Sequence, residues 1–200
     1  MQRANLRLEI CGGIAAGKTT LSKLLADLGF HPVNESFETN PFLHKFYTNP
    51  SLFSFETEIS FLLQHYHQIK CELAQKRIAC DYSFILDQAY ADLTLRSDSE
   101  REVFSRVLAE VLKQLSSPDL IIYLKCHSEV LLKRIINRAR PMEQTIELDY
   151  LTLLTNQLDR NISSSRNRIF IIESDKNDFA HNMDHREFVL ESIKAELIRM

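Results

Sequence analysis

Short apolar runs alternate along this chain with longer segments in which apolar residues recur every three or four positions. The short runs are residues 6–11, 31–35, 77–80, 120–126 and 168–174. Runs of this length and composition are typical of strands buried in a parallel sheet. Because helical segments separate them, the pattern predicts an α/β fold with about five strands and helices on both faces of the sheet.

The longer segments predict the helices that connect these strands. Leucines recur at helical spacing over residues 19–28, and Gly29 follows as a stop signal. No shift in composition marks a boundary, so we expect residues 1–200 to form a single domain. Further helices are predicted over residues 42–47, 53–76, 83–95, 99–115 and 147–161, and from Ser128 onward with Ser128 as the N-cap.

Charge and hydropathy exclude several classes of partner. The formal net charge is -3, whereas a general nucleic-acid-binding protein normally has a basic excess. No apolar run approaches the roughly 20 residues that a membrane-spanning helix needs. Charges interrupt the apolar N-terminal stretch, and no small-residue cleavage site follows it. We therefore expect a cytoplasmic protein that binds neither a nucleic-acid polymer nor a membrane.

Glycine is concentrated in one place. Three of the four glycines lie in the segment GGIAAGKT, residues 12–19, which matches G-x-x-x-x-G-K-[ST] between a predicted strand and a predicted helix. Glycines allow backbone N–H groups to approach phosphate oxygens, and the helix N-terminus adds partial positive charge. Lys18 can reach the β- and γ-phosphates, and the Thr19 hydroxyl can ligate Mg²⁺. The motif predicts a sheet of the P-loop NTPase type whose nucleotide-binding residues are Gly12, Gly13, Ile14, Ala15, Ala16, Gly17, Lys18, Thr19 and Thr20.

A phosphate-binding loop does not by itself separate kinases from GTPases or motor proteins. No Asn-Lys-x-Asp segment follows for reading guanine, which disfavours a GTPase switch. The modest length, without room for mechanical extensions, favours a kinase that acts on a small molecule.

Four further blocks follow the loop in order. They are VNESFETNPF at 33–42, FYTNPSLFSFETEISFLL at 46–63, RIACDYS at 77–83, and PDLIIYLKC at 118–126 with the arginine-rich segment 134–143. With the loop, these blocks resemble the deoxynucleoside kinase family, the salvage enzymes related to deoxycytidine and deoxyguanosine kinases. The resemblance covers residues 6 to about 172. It implies ATP-dependent phosphorylation of a deoxynucleoside 5′-hydroxyl with Mg²⁺, and a homodimer formed through long helices such as 53–76.

The resemblance also implies roles on the acceptor side. Glu35 matches the general base at the 5′-hydroxyl, where a carboxylate can take the proton of the attacking group. Tyr47 and Glu143 match residues that contact the sugar 3′-hydroxyl. Asp81 matches the acidic residue beside Mg²⁺, so Thr19 and Asp81 are the expected metal ligands. Tyr82 stands where the family carries an arginine that helps hold the substrate's 5′ end.

The segment 134–143 matches an arginine-rich lid. Arg134, Arg138 and Arg140 coincide with lid arginines, which stabilise negative charge on a transferring phosphoryl group. Arg138 and Arg140 are therefore expected to act in catalysis together with Lys18, and Arg134 and Arg138 to hold the nucleotide.

The nucleobase pocket involves an acid in place of an amide. The family's base-reading glutamine falls at Glu58, with Glu56 as the alternative if the register differs. An ionised glutamate only accepts hydrogen bonds, and guanine presents two adjacent donors, so Glu58 favours deoxyguanosine over deoxyadenosine and deoxycytidine. Phe55 and Tyr90 are candidates for lining the base pocket or for packing in the core, and the sequence leaves both alternatives open.

Two other functions remain as alternatives. One is a thymidylate-type nucleoside monophosphate kinase, and the other is a catalytically degraded, nucleotide-binding regulatory module. The histidines are interpreted as ordinary structural residues. His65 and His67 lie two positions apart on a predicted helix, so they do not share a face and cannot chelate a metal together.

Overall fold

The computed structural model describes residues 6–200. A single five-stranded sheet lies at its centre, and every neighbouring pair of strands is parallel. The strand order is β2-β3-β1-β4-β5. The strands are β1 Leu6–Cys11, β2 His31–Val33, β3 Arg77–Cys80, β4 Leu120–Lys125 and β5 Ile169–Glu173.

Helices connect the strands and follow the last of them. Short 3-10 turns lie at Leu25–Leu28, Phe37–Thr39 and Pro141–Glu143. Within residues 6–200, no helix is both long enough and apolar enough to cross a membrane. The helices are α1 Lys18–Leu24, α2 Leu43–Thr48, α3 Pro50–Glu72, α4 Phe84–Thr94, α5 Asp98–Leu115, α6 Ser128–Arg138, α7 Leu148–Ser164 and α8 Met183–Ile198.

Successive side chains of the strands point to opposite faces of the sheet. Leu8 and Ile10 of β1 belong to an apolar cluster with α1, α6 and α8, whereas Cys11 packs with α4 and α7. On β3, Ala79 belongs to the first cluster, and Ile78 packs with α3 and α5. Helices therefore cover both faces, which confirms the predicted α/β fold.

Several predicted element boundaries differ from those observed by up to four residues, and three of the differences are described here with their geometry. Strand β2 ends at Val33 rather than at residue 35, because the Glu35 N–H donates to the Asp81 side chain and not to a neighbouring strand. Helix α3 begins at Pro50, three residues earlier than predicted. Backbone N–H groups in the first turn have no partner within the helix, so a proline there loses no hydrogen bond. The predicted cap Ser128 is the first residue of α6, after the N-cap His127, and makes no side-chain cap.

The sheet order brings the functional segments together. Strand β3 lies between β2 and β1, and parallel strands end at the same edge of a sheet. The glycine-rich loop follows β1, Glu35 follows β2, and Asp81 follows β3. The fold thus places the phosphate-binding segment and both predicted carboxylates at one edge.

Candidate active site

The glycine-rich loop turns tightly between β1 and α1. Gly17 has a φ of 103°, and a Cβ there would lie 2.9 Å from the Phe179 ring. A Cβ on Gly12 would lie 2.9 Å from the Leu124 carbonyl oxygen. The Lys18 ammonium closes the loop by donating to the carbonyl oxygens of Gly12 at 2.9 Å and Gly13 at 3.1 Å. Side chains at these glycines are therefore excluded by conformation or by space.

Asp81 connects the loop to the predicted general base. Its Oδ2 accepts from the Thr19 hydroxyl at 2.6 Å, and its Oδ1 accepts from the Glu35 N–H at 2.5 Å. A hydroxyl and a carboxylate beside a phosphate loop are oxygen donors of the kind that Mg²⁺ prefers, with phosphates and water completing its shell. Among residues 6–200, no group of three or more His, Cys, Asp or Glu side chains forms a separate metal site. Thr19 and Asp81 therefore fit the predicted magnesium ligands.

One cavity of about 950 Å³ extends from the loop to the acceptor side. Gly12 and Gly13 do not line it, but their carbonyl groups hold Lys18. The structure brings most of the predicted site residues together on its wall. These are Ile14, Ala15, Ala16, Gly17, Lys18, Thr19, Thr20, Glu35, Tyr47, Glu58, Asp81, Tyr90, Arg134, Arg138, Arg140 and Glu143.

Tyr82 and Phe55 are placed elsewhere. Tyr82 is 1% exposed and lies in the apolar cluster between β3 and α3, so the predicted substrate contact at this position is wrong. Its ring stacks on the ring of His65. Phe55 is half-buried against the same cluster and is not part of the cavity wall, which favours the core alternative. Glu56 is exposed, so Glu58 is the acid that faces the cavity.

The lid segment, residues 134–143, is held by its own charges. Arg138 donates to both carboxylate oxygens of Glu143, at 2.8 and 2.7 Å, and Arg140 donates to the same group at 3.4 Å. The Arg140 guanidinium also lies over the Phe37 ring, 4.7 Å from its centre. Arg134 donates to the Ser174 carbonyl oxygen at 2.6 Å, which fixes the start of the segment to the end of β5. The arginines thus surround the cavity on the side of the loop.

Glu35 makes an ion pair that the sequence analysis did not anticipate. Its Oε1 lies 3.1 Å from Nε2 of His65, whose Nδ1 lies 2.9 Å from Oδ2 of Asp87. Burial raises the pKa of Glu35, but the hydrogen bond and charge of His65, with Lys18 and Arg140, outweigh this and lower it. Glu35 is therefore ionised at neutral pH and can accept a proton. His65, which the sequence analysis interpreted as an ordinary structural residue, thus contacts two carboxyl groups of the cavity wall.

Glu58 is buried at the far end of the cavity. Its carboxyl group is 5% exposed and accepts from the Thr94 hydroxyl at 3.0 Å. Burial raises its pKa to about 8, with Asp87 contributing in the same direction. The acid expected to be a pure acceptor is thus mostly protonated at pH 7, when it both donates and accepts.

Several cavity residues escaped the sequence analysis. Asp87 lies in the first turn of α4, where an acid is ordinarily explained by the helix dipole. His65 is not part of the cavity wall but contacts Glu35, which is. It lies seven positions after Glu58 on the same face of α3, and this spacing could have indicated it. The other unanticipated members of the wall include Thr57, Phe61, Tyr150 and Phe179.

Comparisons with known proteins identify the family of this chain. The sequence model of the deoxynucleoside kinase family matches residues 8–199. A deoxyguanosine kinase of Bacillus subtilis (strain 168) is 34% identical over 203 residues, 96% of this chain and 97% of that protein. A deoxyadenosine kinase of Lactobacillus acidophilus is 27% identical and is matched over 95% of each chain.

The same fold occurs in a solved structure. Deoxyadenosine kinase from M. mycoides, with the products dCMP and a flexible dCDP bound, matches with a TM-score of 0.81 at 21% identity. The match covers 95% of this chain and 100% of that chain. The match to the family model and the 34% identical relative show the family. The chain therefore belongs to the deoxynucleoside kinase family and is an enzyme of that family.

Proposed function

We propose that this enzyme transfers the γ-phosphoryl group of ATP to the 5′-hydroxyl of a deoxynucleoside, with deoxyguanosine as the preferred acceptor. The observation that carries the proposal is the link between Glu35 and the phosphate loop. The Glu35 backbone donates to Asp81, and Asp81 accepts from Thr19, so the base and the loop are joined through one carboxylate. A hydroxyl placed against Glu35 therefore lies beside the phosphate-binding segment.

The donor side binds and stabilises the phosphate chain. Backbone N–H groups of the loop and the Lys18 ammonium hold the phosphates, and Arg138 and Arg140 stabilise charge on the group in transfer. Mg²⁺ held by Thr19 and Asp81 would neutralise phosphate charge at this site. In this proposal Lys18 exchanges its loop carbonyl partners, at 2.9 and 3.1 Å, for phosphate oxygens.

The acceptor side orients the sugar and takes its proton. The ionised Glu35 removes the proton of the 5′-hydroxyl as the new P–O bond forms. Tyr47 and Glu143 line the same cavity and hold the 3′-hydroxyl in this proposal. Glu143 also ties Arg138 and Arg140 together, so closure of the lid is coupled to binding of the sugar.

The proposed base preference follows from the two protonation states of Glu58. A neutral carboxyl group pairs with any edge that offers a donor beside an acceptor, which includes guanine, adenine and cytosine. The ionised form suits only guanine, whose N1–H and amino group are adjacent donors. Deoxyguanosine is therefore accepted in both states. The deoxyguanosine kinases among the relatives, 30 and 34% identical, support the same preference.

A kinetic panel tests this proposal. We would measure kcat/KM for the four deoxynucleosides at pH 7 and pH 9, with ATP as donor. The preference for deoxyguanosine is expected to grow at pH 9, where Glu58 is ionised. Equal or better use of deoxycytidine at pH 9 would contradict the preference. Phosphorylation of dTMP or dGMP instead of the nucleosides would contradict the reaction itself.

The proposed enzyme is also a homodimer that uses α3. Two leucines on this helix, Leu52 and Leu63, are 61% and 47% exposed, although their side chains are large and apolar. Exposed apolar side chains on a long helix suit a contact with a second copy. Sedimentation at micromolar concentration is expected to show a dimer that Leu63→Glu weakens. A wild-type protein that sediments only as a monomer would remove this part of the proposal.

A further inference from the structure

His65 occupies an unusual position in the middle of α3. It is 2% exposed, and both of its ring nitrogens contact carboxylates from other segments. Nδ1 lies 2.9 Å from Asp87 Oδ2 on α4, and Nε2 lies 3.1 Å from Glu35 Oε1 in the loop after β2. The ring stacks on Tyr82, with 4.0 Å between ring centres and 9° between planes. Packing and two hydrogen bonds thus fix the ring in one orientation.

We propose that His65 is the positioning residue for the general base, holding the Glu35 carboxylate oriented toward the acceptor hydroxyl. This inference rests on the proposed role of Glu35 in the reaction. Among residues 6–200, His65 is the only cationic side chain within 4.0 Å of the Glu35 carboxylate. Tyr82, which directly follows Asp81, is uncharged, and its ring is the surface on which the His65 ring stacks.

The geometry favours an imidazolium ion. A carboxyl group faces each ring nitrogen. Burial raises the pKa of Asp87, but the charge and hydrogen bond of His65 act against this, and an ionised carboxylate only accepts hydrogen bonds. A neutral ring has one nitrogen without a proton, which would then face an acceptor. Both nitrogens carry protons in the imidazolium form, so both contacts become charge-assisted hydrogen bonds.

The charges around the ring act in the same direction. Burial alone lowers the pKa of His65, but Asp87 and Glu35 raise it to about 10. The charge of His65 also lowers the pKa values of two further acids, Glu58 on α3 and Glu9 on β1, against the effect of their burial. Lys18 and Arg140 are the other cations that act on Glu35, and in the proposed reaction both also serve the phosphates. The His65 imidazolium is therefore the cation whose only proposed role is to hold Glu35.

This arrangement divides the chemistry between two residues. During transfer the 5′-O–H bond breaks as the new O–P bond forms, and the bond between the γ-phosphorus and ADP breaks. The hydroxyl proton moves to Glu35. His65 does not take it, because both ring nitrogens already carry protons. Its part is to keep Glu35 in the form and direction that accept the proton.

Two substitutions remove the charge of His65 while each keeps a hydrogen-bonding group at one of its two ring positions. His65→Gln places an uncharged amide where Nε2 reaches Glu35, and His65→Asn places one where Nδ1 reaches Asp87. We expect kcat to fall at least about tenfold in both, since general base catalysis contributes about 10²–10⁴-fold in all. KM for ATP is expected to stay unchanged. His67→Gln, an exposed histidine on the same helix, is the matched control and should keep wild-type turnover.

The pH profile distinguishes a positioning role from a merely structural one. Loss of the cation raises the pKa of Glu35, so the acidic limb of the kcat/KM profile should move to higher pH in both variants. The deficit should therefore shrink as the pH rises. Wild-type kcat with an unshifted profile in His65→Gln would overturn the inference.

A measurement on the unmodified enzyme does not depend on how the variants fold. Nitrogen-15 NMR of the His65 ring should show two protonated nitrogens at pH 7.5, and a neutral tautomer would overturn the inference. Glu35→Gln separates this inference from the proposed function. If Glu35→Gln is inactive while His65→Gln behaves as wild type, only the role of His65 fails. If Glu35→Gln retains turnover, the proposed base fails, and the role of His65 fails with it.

Discussion

Replacing Glu58 with glutamine is expected to stabilise the folded protein, and increasingly so as the pH rises. The Glu58 carboxyl is 5% exposed, and burial raises its pKa from 4.5 to about 8. The native state therefore keeps a proton that the unfolded chain releases at lower pH. The stability linked to that proton is fully present below about pH 4.5 and is lost as the pH rises through about 8.

The size of the effect follows from the two pKa values. A rise from 4.5 to about 8 corresponds to roughly 5 kcal/mol, at about 1.4 kcal/mol for each tenfold change in proton affinity. The glutamine of Glu58→Gln has nearly the same shape, has no proton to lose and still accepts from Thr94. The free energy of unfolding of the variant minus that of wild type should therefore increase by roughly 4 kcal/mol from pH 5 to pH 9.

Urea unfolding followed by circular dichroism at pH 5, 7 and 9 measures this difference. Glu56→Gln is the matched control, because Glu56 lies two residues earlier on α3 with its side chain exposed. Its difference from wild type should stay within about 0.5 kcal/mol across the range. Parallel pH dependences for wild type and Glu58→Gln would refute the reasoning, since they would mean that Glu58 ionises alike in both states.

Three further predictions concern the reaction. Glu35→Gln should lower kcat by about 10²–10⁴-fold and leave ATP affinity nearly unchanged, which stopped-flow and equilibrium binding can check; near-normal turnover would falsify the role of Glu35. Gly17→Ala should abolish measurable ATP binding in calorimetry, because the new Cβ would strain a φ of 103° and lie 2.9 Å from Phe179; wild-type affinity would contradict this. Arg138→Gln should lower kcat about 10²-fold or more and raise KM for the nucleoside, since it also frees Glu143; an effect on neither constant would exclude Arg138 from the lid's function.

The sequence predicted the phosphate-binding side of the site well, because that side depends on one short segment. The loop over residues 12–19 combines glycines, a lysine and a threonine that few other structures require, and a strand and a helix flank it as predicted. The apolar runs located all five strands, because burial on both faces leaves a continuous apolar stretch. The predicted end of β2 and the predicted start of α3 were wrong by two and three residues. The first depends on a side chain distant in sequence, and the second on a single proline.

On the acceptor side, the contacts that matter join residues that are distant in sequence. Tyr82 follows Asp81 directly, and only packing decides that one side chain faces the cavity and the other faces the core. His65 shares a face of α3 with Glu58, but its hydrogen-bond partners Glu35 and Asp87 lie 30 and 22 positions away in the chain. No local pattern could have joined these three residues.

The sequence by itself determined the fold class, the phosphate loop and the residue types available for catalysis. These depend on backbone freedom, apolar periodicity and side-chain chemistry, which are properties of short segments. Only the tertiary structure decided which of those residues meet and which of them are charged. Contact, burial and the nearness of other charges set the pKa of Glu35, Glu58 and His65, and all three arise when distant segments pack together.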